Sequence, residues 1–285
     1  MSVMQVIPWS RWQKRLISLL LIATITFGLT FGFSQPSYGQ SWLNLLFQGI
    51  QVLQLSSLSN SQEVRLGQQI NQQLIQQGKF RVSRDRRLNG YVNEIGQQLA
   101  RTSKRPDIPY TFQVVNDRAI NAFATMGGFV YLNRGMIEAA DTEAELASVI
   151  AHEIAHIVAR HAVNQMRDVA LSQGLMGAAG LKESTIVQMG VQLAVNLPNS
   201  REAELEADQL GLQNLQRVGY APIGMINFMQ KLLQAGGGGT PEILNTHPDT
   251  RNRIIALQRR IDRNTAYEGF GLDEQDYRDR IQASR

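Results

Sequence analysis

His152-Glu153-Ile-Ala-His156 places two imidazoles four residues apart, with a carboxylate between them. On a helix that spacing turns through about 400°, so the two rings return to one face within ~40° of each other. Two imidazoles one turn apart can share a single Zn²⁺ through nitrogens at roughly 2.0–2.1 Å. Glu153 lies ~100° around the helix, within reach of a water on the ion but not of the ion itself. The chemistry expected of such a set is hydrolysis. The ion acidifies a water and polarises a peptide carbonyl, while Glu153 takes the proton and returns it to the leaving amine. A chance pairing is a poor alternative. The chain has four histidines, and an unpartnered His is costly among Val149, Ile150, Ile154, Ile157 and Val158. His161 is nine residues past His152, or ~900° on a continuous helix, and so is expected on the opposite face as a surface or packing residue.

Two imidazoles leave the ion short of ligands. The segment Ser200-Arg-Glu202-Ala-Glu204-Leu-Glu206-Ala-Asp208-Gln-Leu-Gly211 supplies four carboxylates. Glu204 and Asp208 share a helix face, so one could ligate while the other accepts the free ring N–H of a ligating His. Glu202 and Glu206 have the same spacing, and spacing alone does not choose between the pairs.

The elements that must position these residues are mostly helical. Apolar residues at helical spacing run from Ser61 to Gly78 and from Asp85 to Thr102. The pattern then alternates over Tyr110–Val115, Ile120–Thr125 and Gly128–Leu132, with Met126-Gly127-Gly128 as the turn of a hairpin. Thr142 and Glu145 read as a capping box that opens one long helix through about Asn164. Further helices are expected over Arg201–Val218, Pro222–Gln234 and Pro248–Asn264, with Gly236–Gly239 as a flexible connector. The fold class is therefore α+β, mostly helical, with a small antiparallel sheet.

The chain carries 28 Lys and Arg against 24 Asp and Glu, a net charge of +4. Three of the cations (Arg11, Lys14, Arg15) lie in the first 39 positions, which hold no acid, so the remainder is close to neutral. That excludes the concentrated basic surface of a nucleic-acid binder. There is no cysteine, which removes disulfides, thiol nucleophiles, Cys-ligated metals and a lipobox. Residues 1–39 have the layout of an export signal: a basic start, the uncharged run Leu16–Phe33, and a polar end with Ser37 and Gly39 before Gln40. Cleaved as a signal peptide, or retained as an anchor giving membrane association through residues 16–33, this leader directs the rest out of the cytoplasm, to a periplasm or equivalent lumen. Residues 40–60 read as a linker or arm, 61–264 as the catalytic domain, and 265–285 as a polar, peripheral tail.

Four stretches taken together resemble the HtpX/CAAX-prenyl-protease family of zinc endopeptidases. They are His152–His156, Glu202–Gly211, His247-Pro-Asp-Thr-Arg-Asn-Arg253, and Asn121-Ala-Phe-Ala-Thr-Met-Gly-Gly-Phe-Val-Tyr131. The resemblance spans roughly 61–264 and implies a zincin-like domain with one zinc. It makes Glu204 the third ligand beside His152 and His156, and Asp208 the residue that orients one of those imidazoles. It implies an edge strand at Asn121, Ala122, Phe123 and Ala124 beside the metal cleft, to which an extended peptide could add. His247 would stabilise the oxyanion or ligate the metal in a self-inhibited form, with Arg253 as the accompanying cation. Spanning helices found around the first two motifs in membrane members are missing from this sequence beyond the leader, so CAAX processing is not expected. The function implied is an endopeptidase acting on misfolded or damaged envelope proteins. The alternative is a chaperone-like or latent zinc-binding scaffold that holds unfolded chains at the edge strand.

Overall fold

The computed structural model describes residues 55, 58–173, 183–196, 198–235 and 241–282. The leader and the Gly236–Gly239 connector lie outside them, as does most of the arm at 40–60. In chain order the elements are α1 (Asn60–Gln76), α2 (Arg86–Thr102), β1 (Thr111–Val115), β2 (Ala122–Thr125), a 3₁₀ turn (Met126–Gly128), β3 (Phe129–Asn133) and α3 (Arg134–Ala139). They continue with α4 (Glu143–Val158), α5 (His161–Ser172), α6 (Glu183–Asn196), α7 (Arg201–Val218) and α8 (Ile223–Gln234). The last are α9 (Ile243–Thr246), α10 (Thr250–Arg260) and α11 (Glu274–Gln282).

Local chemistry sets the starts of these helices. Ser59 and Gln62 form a reciprocal capping box at α1, Asp85 accepts from the N–H groups of Arg87 and Leu88, and Ser200 accepts from Ala203. Each satisfies donors that the first helical turn leaves unpaired. At α4, Thr142 accepts from Glu145 N, but the Glu145 carboxylate takes the Asp141 N–H and an ion pair with Lys231 instead of closing the box.

Two expectations are corrected here. The sheet is mixed, in the order β1-β3-β2: β2 and β3 form the antiparallel hairpin, and β3 returns between β2 and β1 to run parallel to β1. The tail is not peripheral. Tyr277 of α11 is fully buried and donates to Ile137 O at 2.6 Å. One aromatic anchor among nine mostly polar residues docks the helix, and composition hides it.

Helix α4 is the axis of the domain. Fourteen of its sixteen residues are buried, because α2, α7 and α8 and the sheet pack around it. One apolar core joins α2, α4, α7, α8 and α10 with the inner face of the sheet. A second gathers Leu66, Ile70 and Leu74 of α1 with Met126, Phe129, Tyr131, Met166 and Val191. Helix α1 lies directly on the 3₁₀ turn. A Cβ at Gly67 would sit 2.2 Å from Met126 O, and one at Gly127 (φ 78°) 2.6 Å from Glu63 O, so only glycine allows the approach. No helix of the described residues is long and apolar enough to cross a membrane.

Candidate metal centre

Along α7, Glu204, Asp208 and Gly211 follow at i, i+4 and i+7, a single face, and that face lies on α4. The approach is close because Gly211 has no side chain: a Cβ there would meet Ala151 C and His152 N at 3.2 Å. Glu204 is thereby carried, fully buried, to the two imidazoles of α4. His152 Nε2 lies 3.0 Å from His156 Nε2 and 3.3 Å from Glu204 Oε2, and His156 Nε2 lies 3.4 Å from Glu204 Oε1. The fourth member is His247, whose Nδ1 is 3.3 Å from His152 Nε2 and 3.1 Å from Glu204 Oε1.

These separations are the test of whether a metal fits. Four ligands at about 2.0–2.1 Å in a tetrahedron have edges of ~3.3–3.4 Å. One ligand atom from each of the four residues lies within 4.8 Å of the others, and all four residues are buried. Hydrogen bonding cannot account for the cluster, since a single ring N–H cannot serve three partners at once. The donor set fits a divalent ion such as zinc.

The surrounding groups are equally specific. His152 Nδ1 lies 2.9 Å from Asp208 Oδ1. Arg253 clamps the same carboxylate through Nε (2.8 Å) and Nη2 (2.7 Å), while its Nη1 reaches Glu204 Oε2 at 2.6 Å. It is buried and binds two carboxylates at once. Short helix α9 ends at His247, whose N–H donates to Ile243 O. Asn121 precedes β2 rather than lying in it, and its amide donates to Glu242 at the start of α9. Asn121, expected in the strand, lies one residue before it: its carbonyl accepts from Asn133 N beside the hairpin, and its side chain ties that end to α9.

Glu153 differs from its neighbours. It is buried, and its Oε1 has no hydrogen-bond partner among the described residues; His247 Nε2 is 3.6 Å away. Burial pushes its pKa up, against the nearby His247 and His152. Burial alone would lower His152, but Asp208 and Glu204 outweigh it and bring the value up to about 9. At His156 burial prevails and the value falls to about 3, so this ring is neutral at physiological pH. Glu204 resists burial because His247, His152 and His156 surround it, and its carboxylate stays ionised well below the usual range.

A cleft of ≈ 730 Å³ passes the site, lined by Phe123, Ala124 and Thr125 of β2, Glu153 and His156 of α4, and His247. Helix α6 contributes Gly190, Leu193 and Ala194 to its other side. β2 is an outer strand of the sheet.

The placement of His161 overturns the sequence expectation. The long helix does not continue to Asn164; it ends at Val158, and Arg160 takes a left-handed conformation (φ 59°, ψ 32°) before α5 begins. The 900° count therefore does not apply. His161 Nδ1 lies 2.8 Å from His156 Nδ1, and its Nε2 lies 3.3 Å from Glu206 Oε2. Sequence also missed Glu63, buried and paired with both Arg105 and Arg160. Its partners are distant in the chain, and no local spacing announces them.

Known proteins place the site in a family. The chain is 34% identical over 255 residues to the "Beta-barrel assembly-enhancing protease" of Escherichia coli (strain K12), covering 84% of this chain and 52% of that protein. It is 32% identical over 161 residues to "Mitochondrial metalloendopeptidase OMA1" of Arabidopsis thaliana (55% and 33%). It is 26% identical over 230 residues to "Metalloprotease LoiP" of Escherichia coli (76% and 87%). The chain thus spans about half the length of the first of these relatives. The family description Peptidase family M48 matches residues 86–261, from the start of α2 to the end of α10. That interval holds the helices that carry His152, His156 and Glu204 and the His247 segment, and the chain belongs to peptidase family M48, the HtpX-like metalloproteases that its motifs resemble.

Proposed function

We propose that this protein is a zinc endopeptidase that hydrolyses peptide bonds of misfolded or damaged envelope proteins outside the cytoplasm. The single observation that carries the reading is a buried carboxylate oxygen without a hydrogen-bond partner among the described residues, Glu153 Oε1, beside a buried cluster of four potential ligand atoms within 4.8 Å of one another. A zinc ion held by His152, His156 and Glu204 would supply an acidified water and a polarised substrate carbonyl. Glu153 would be the base that accepts one proton from an attacking water as the carbon–oxygen bond forms. It returns the proton to the amide nitrogen as the carbon–nitrogen bond breaks. Burial raises its proton affinity, which suits both transfers. Asp208 holds the His152 ring by its Nδ1, and Arg253 holds Asp208 and Glu204 in place. The outer edge of β2 offers backbone N–H and C=O groups to an extended peptide, a mode that reads main chain more than side chains. Support for this comes from its outer position in the sheet and the cleft that its residues share with Glu153. The export-type leader supports the location, and the name of the first relative, which mentions β-barrel assembly, agrees with an envelope substrate.

A second reading is favoured by one specific observation. His247 Nδ1 stands 3.3 Å from His152 Nε2 and 3.1 Å from Glu204 Oε1 and belongs to the same four-residue cluster, so the site could close with four protein ligands as a latent enzyme or a scaffold for unfolded chains. Two variants decide. Glu153→Gln should retain zinc and lose casein hydrolysis by about 10²–10⁴-fold; equal activity in both proteins would reject the enzyme. His247→Ala should raise hydrolysis if His247 is a resting ligand and lower it if it supports the oxyanion, and no change would reject both roles.

A further inference from the structure

We propose that His161 is a positioning residue: its Nδ1 accepts the His156 Nδ1–H and so fixes His156 in the tautomer that presents Nε2 to the metal. The inference rests on the zinc reading above. A neutral imidazole carries one proton. His156 Nε2 faces His152 Nε2 at 3.0 Å and Glu204 Oε1 at 3.4 Å, so it must offer a lone pair to an ion there. Its proton then sits on Nδ1, buried, where an unpaired N–H would be costly. At 2.8 Å stands His161 Nδ1. For that nitrogen to accept, His161 must carry its own proton on Nε2, and Glu206 Oε2 lies 3.3 Å from it. Every ring proton in the chain His156–His161–Glu206 then has an acceptor. His152 meets the same need directly, with Asp208 at 2.9 Å. The two ligating imidazoles thus have different outer partners, a buried carboxylate for one and a histidine relayed to an exposed carboxylate for the other.

The fold commits strain to this contact. On an unbroken helix His161 would point about 140° away from His156. The left-handed Arg160, disfavoured for a residue with a Cβ, swings it back. The Arg160 side chain donates from Nη2 to Leu58 O at 2.7 Å, and the Glu63 carboxylate lies at ion-pair distance, 3.2 Å from its Nε. Arg105 braces the same carboxylate and also donates to Ile157 O in the last turn of α4. A backbone outlier beside a buried ion cluster, next to a metal ligand, is the arrangement expected where position matters for function.

The test uses the full chain, metal-free and zinc-loaded. His161→Phe keeps a ring but removes the acceptor, whereas His161→Asn places Oδ1 near the lost Nδ1. Zinc affinity by chelator competition should fall about 10–100-fold in His161→Phe and recover most of that loss in His161→Asn. The thermal midpoint of the metal-free protein should change alike in the two. In zinc-loaded, ¹⁵N-labelled wild type, a coupling across the N–H···N bond should join His156 Nδ1 to His161 Nδ1, a readout that requires no variant to fold. Unchanged affinity in His161→Phe, equal losses in both variants, or a His156 proton found on Nε2 would each overturn the assignment. A wild type that takes up no zinc would instead overturn the metal reading on which it rests.

Discussion

The contact between α4 and α7 sets the distance between the ligands, and Gly211 controls it. Adding a methyl group at Gly211 places a Cβ 3.2 Å from Ala151 C and His152 N. Both are helix backbone, so neither can rotate aside, and the helices must separate by a few tenths of an ångström. Glycine to alanine within a helix gains about 0.8–1.0 kcal/mol of intrinsic preference. Overpacking costs about 1–3 kcal/mol, so Gly211→Ala should be destabilising by roughly 0–2 kcal/mol. Gly90, exposed within α2, is the control: a Cβ there meets nothing within 4 Å, so Gly90→Ala keeps the gain without the clash. At about 2–4 °C per kcal/mol for a domain of this size, the metal-free control should melt ~2–4 °C above wild type, and Gly211→Ala up to ~8 °C below it. Glu204 lies on the same face two turns earlier, so the separation also moves a ligand, and zinc affinity should fall while Gly90→Ala leaves it intact. Calorimetry on chelated protein and a zinc competition assay measure both effects. A Gly211→Ala protein that is stabilised like the control and binds zinc like wild type would refute this account of the helix contact.

Other consequences can be measured alongside it. Asp208→Asn keeps an acceptor for His152 but removes the charge that Arg253 clamps, and zinc affinity should drop about 10–100-fold. Zinc itself should stabilise the fold, by ~4 kcal/mol when free zinc stands a thousandfold above its dissociation constant, so chelation should lower the melting temperature reversibly. At high pH the sign is set by tyrosines. Burial, with the Glu143 carboxylate receiving the hydroxyls of Tyr91 (2.7 Å) and Tyr220 (2.9 Å), raises both phenols above their ordinary value. A folded-state pKa above the unfolded one contributes stability that is complete below about pH 10 and is lost as pH rises beyond it. The tyrosinate absorbance of Tyr91 and Tyr220 should therefore appear together with loss of helical circular dichroism. Titration of Tyr91 and Tyr220 in the intact fold near pH 10 would contradict this.

Residue types and local spacing made much of the molecule legible. The pair His152 and His156 with Glu153 between them is a property of one helix, and helical geometry alone brings it to one face. The apolar periodicity of α2 and α7 is equally local, and both helices begin and end within a residue or two of the expected Asp85–Thr102 and Arg201–Val218. The choice of Glu204 over Glu202 or Glu206 was different, since all three share the helix and the i, i+4 pattern is degenerate. It came from a family resemblance, and in the fold it is Glu204 that reaches the imidazoles while Glu206 stays exposed beside His161.

Tertiary structure decided what depends on chain segments far apart. α4 stops at Val158, Arg160 takes the left-handed region and His161 turns back to His156, in a corner where Glu63, nearly a hundred residues upstream, lies at ion-pair distance from Arg160. Arg253 could have been a surface cation, but the packing of α10 buries it against two carboxylates of α7. The helix carrying Tyr277 has few apolar residues, yet it docks because a pocket beside Ile137 accepts its single ring and hydroxyl. Periodicity within a segment reports the geometry that backbone sterics impose on neighbours, so the shared face of His152 and His156, with Glu153 between them, was written in the sequence. Which carboxylate, which cation and which third imidazole meet them is fixed only when distant helices close on one another, because burying a charge is tolerated only where an opposite charge is already in place.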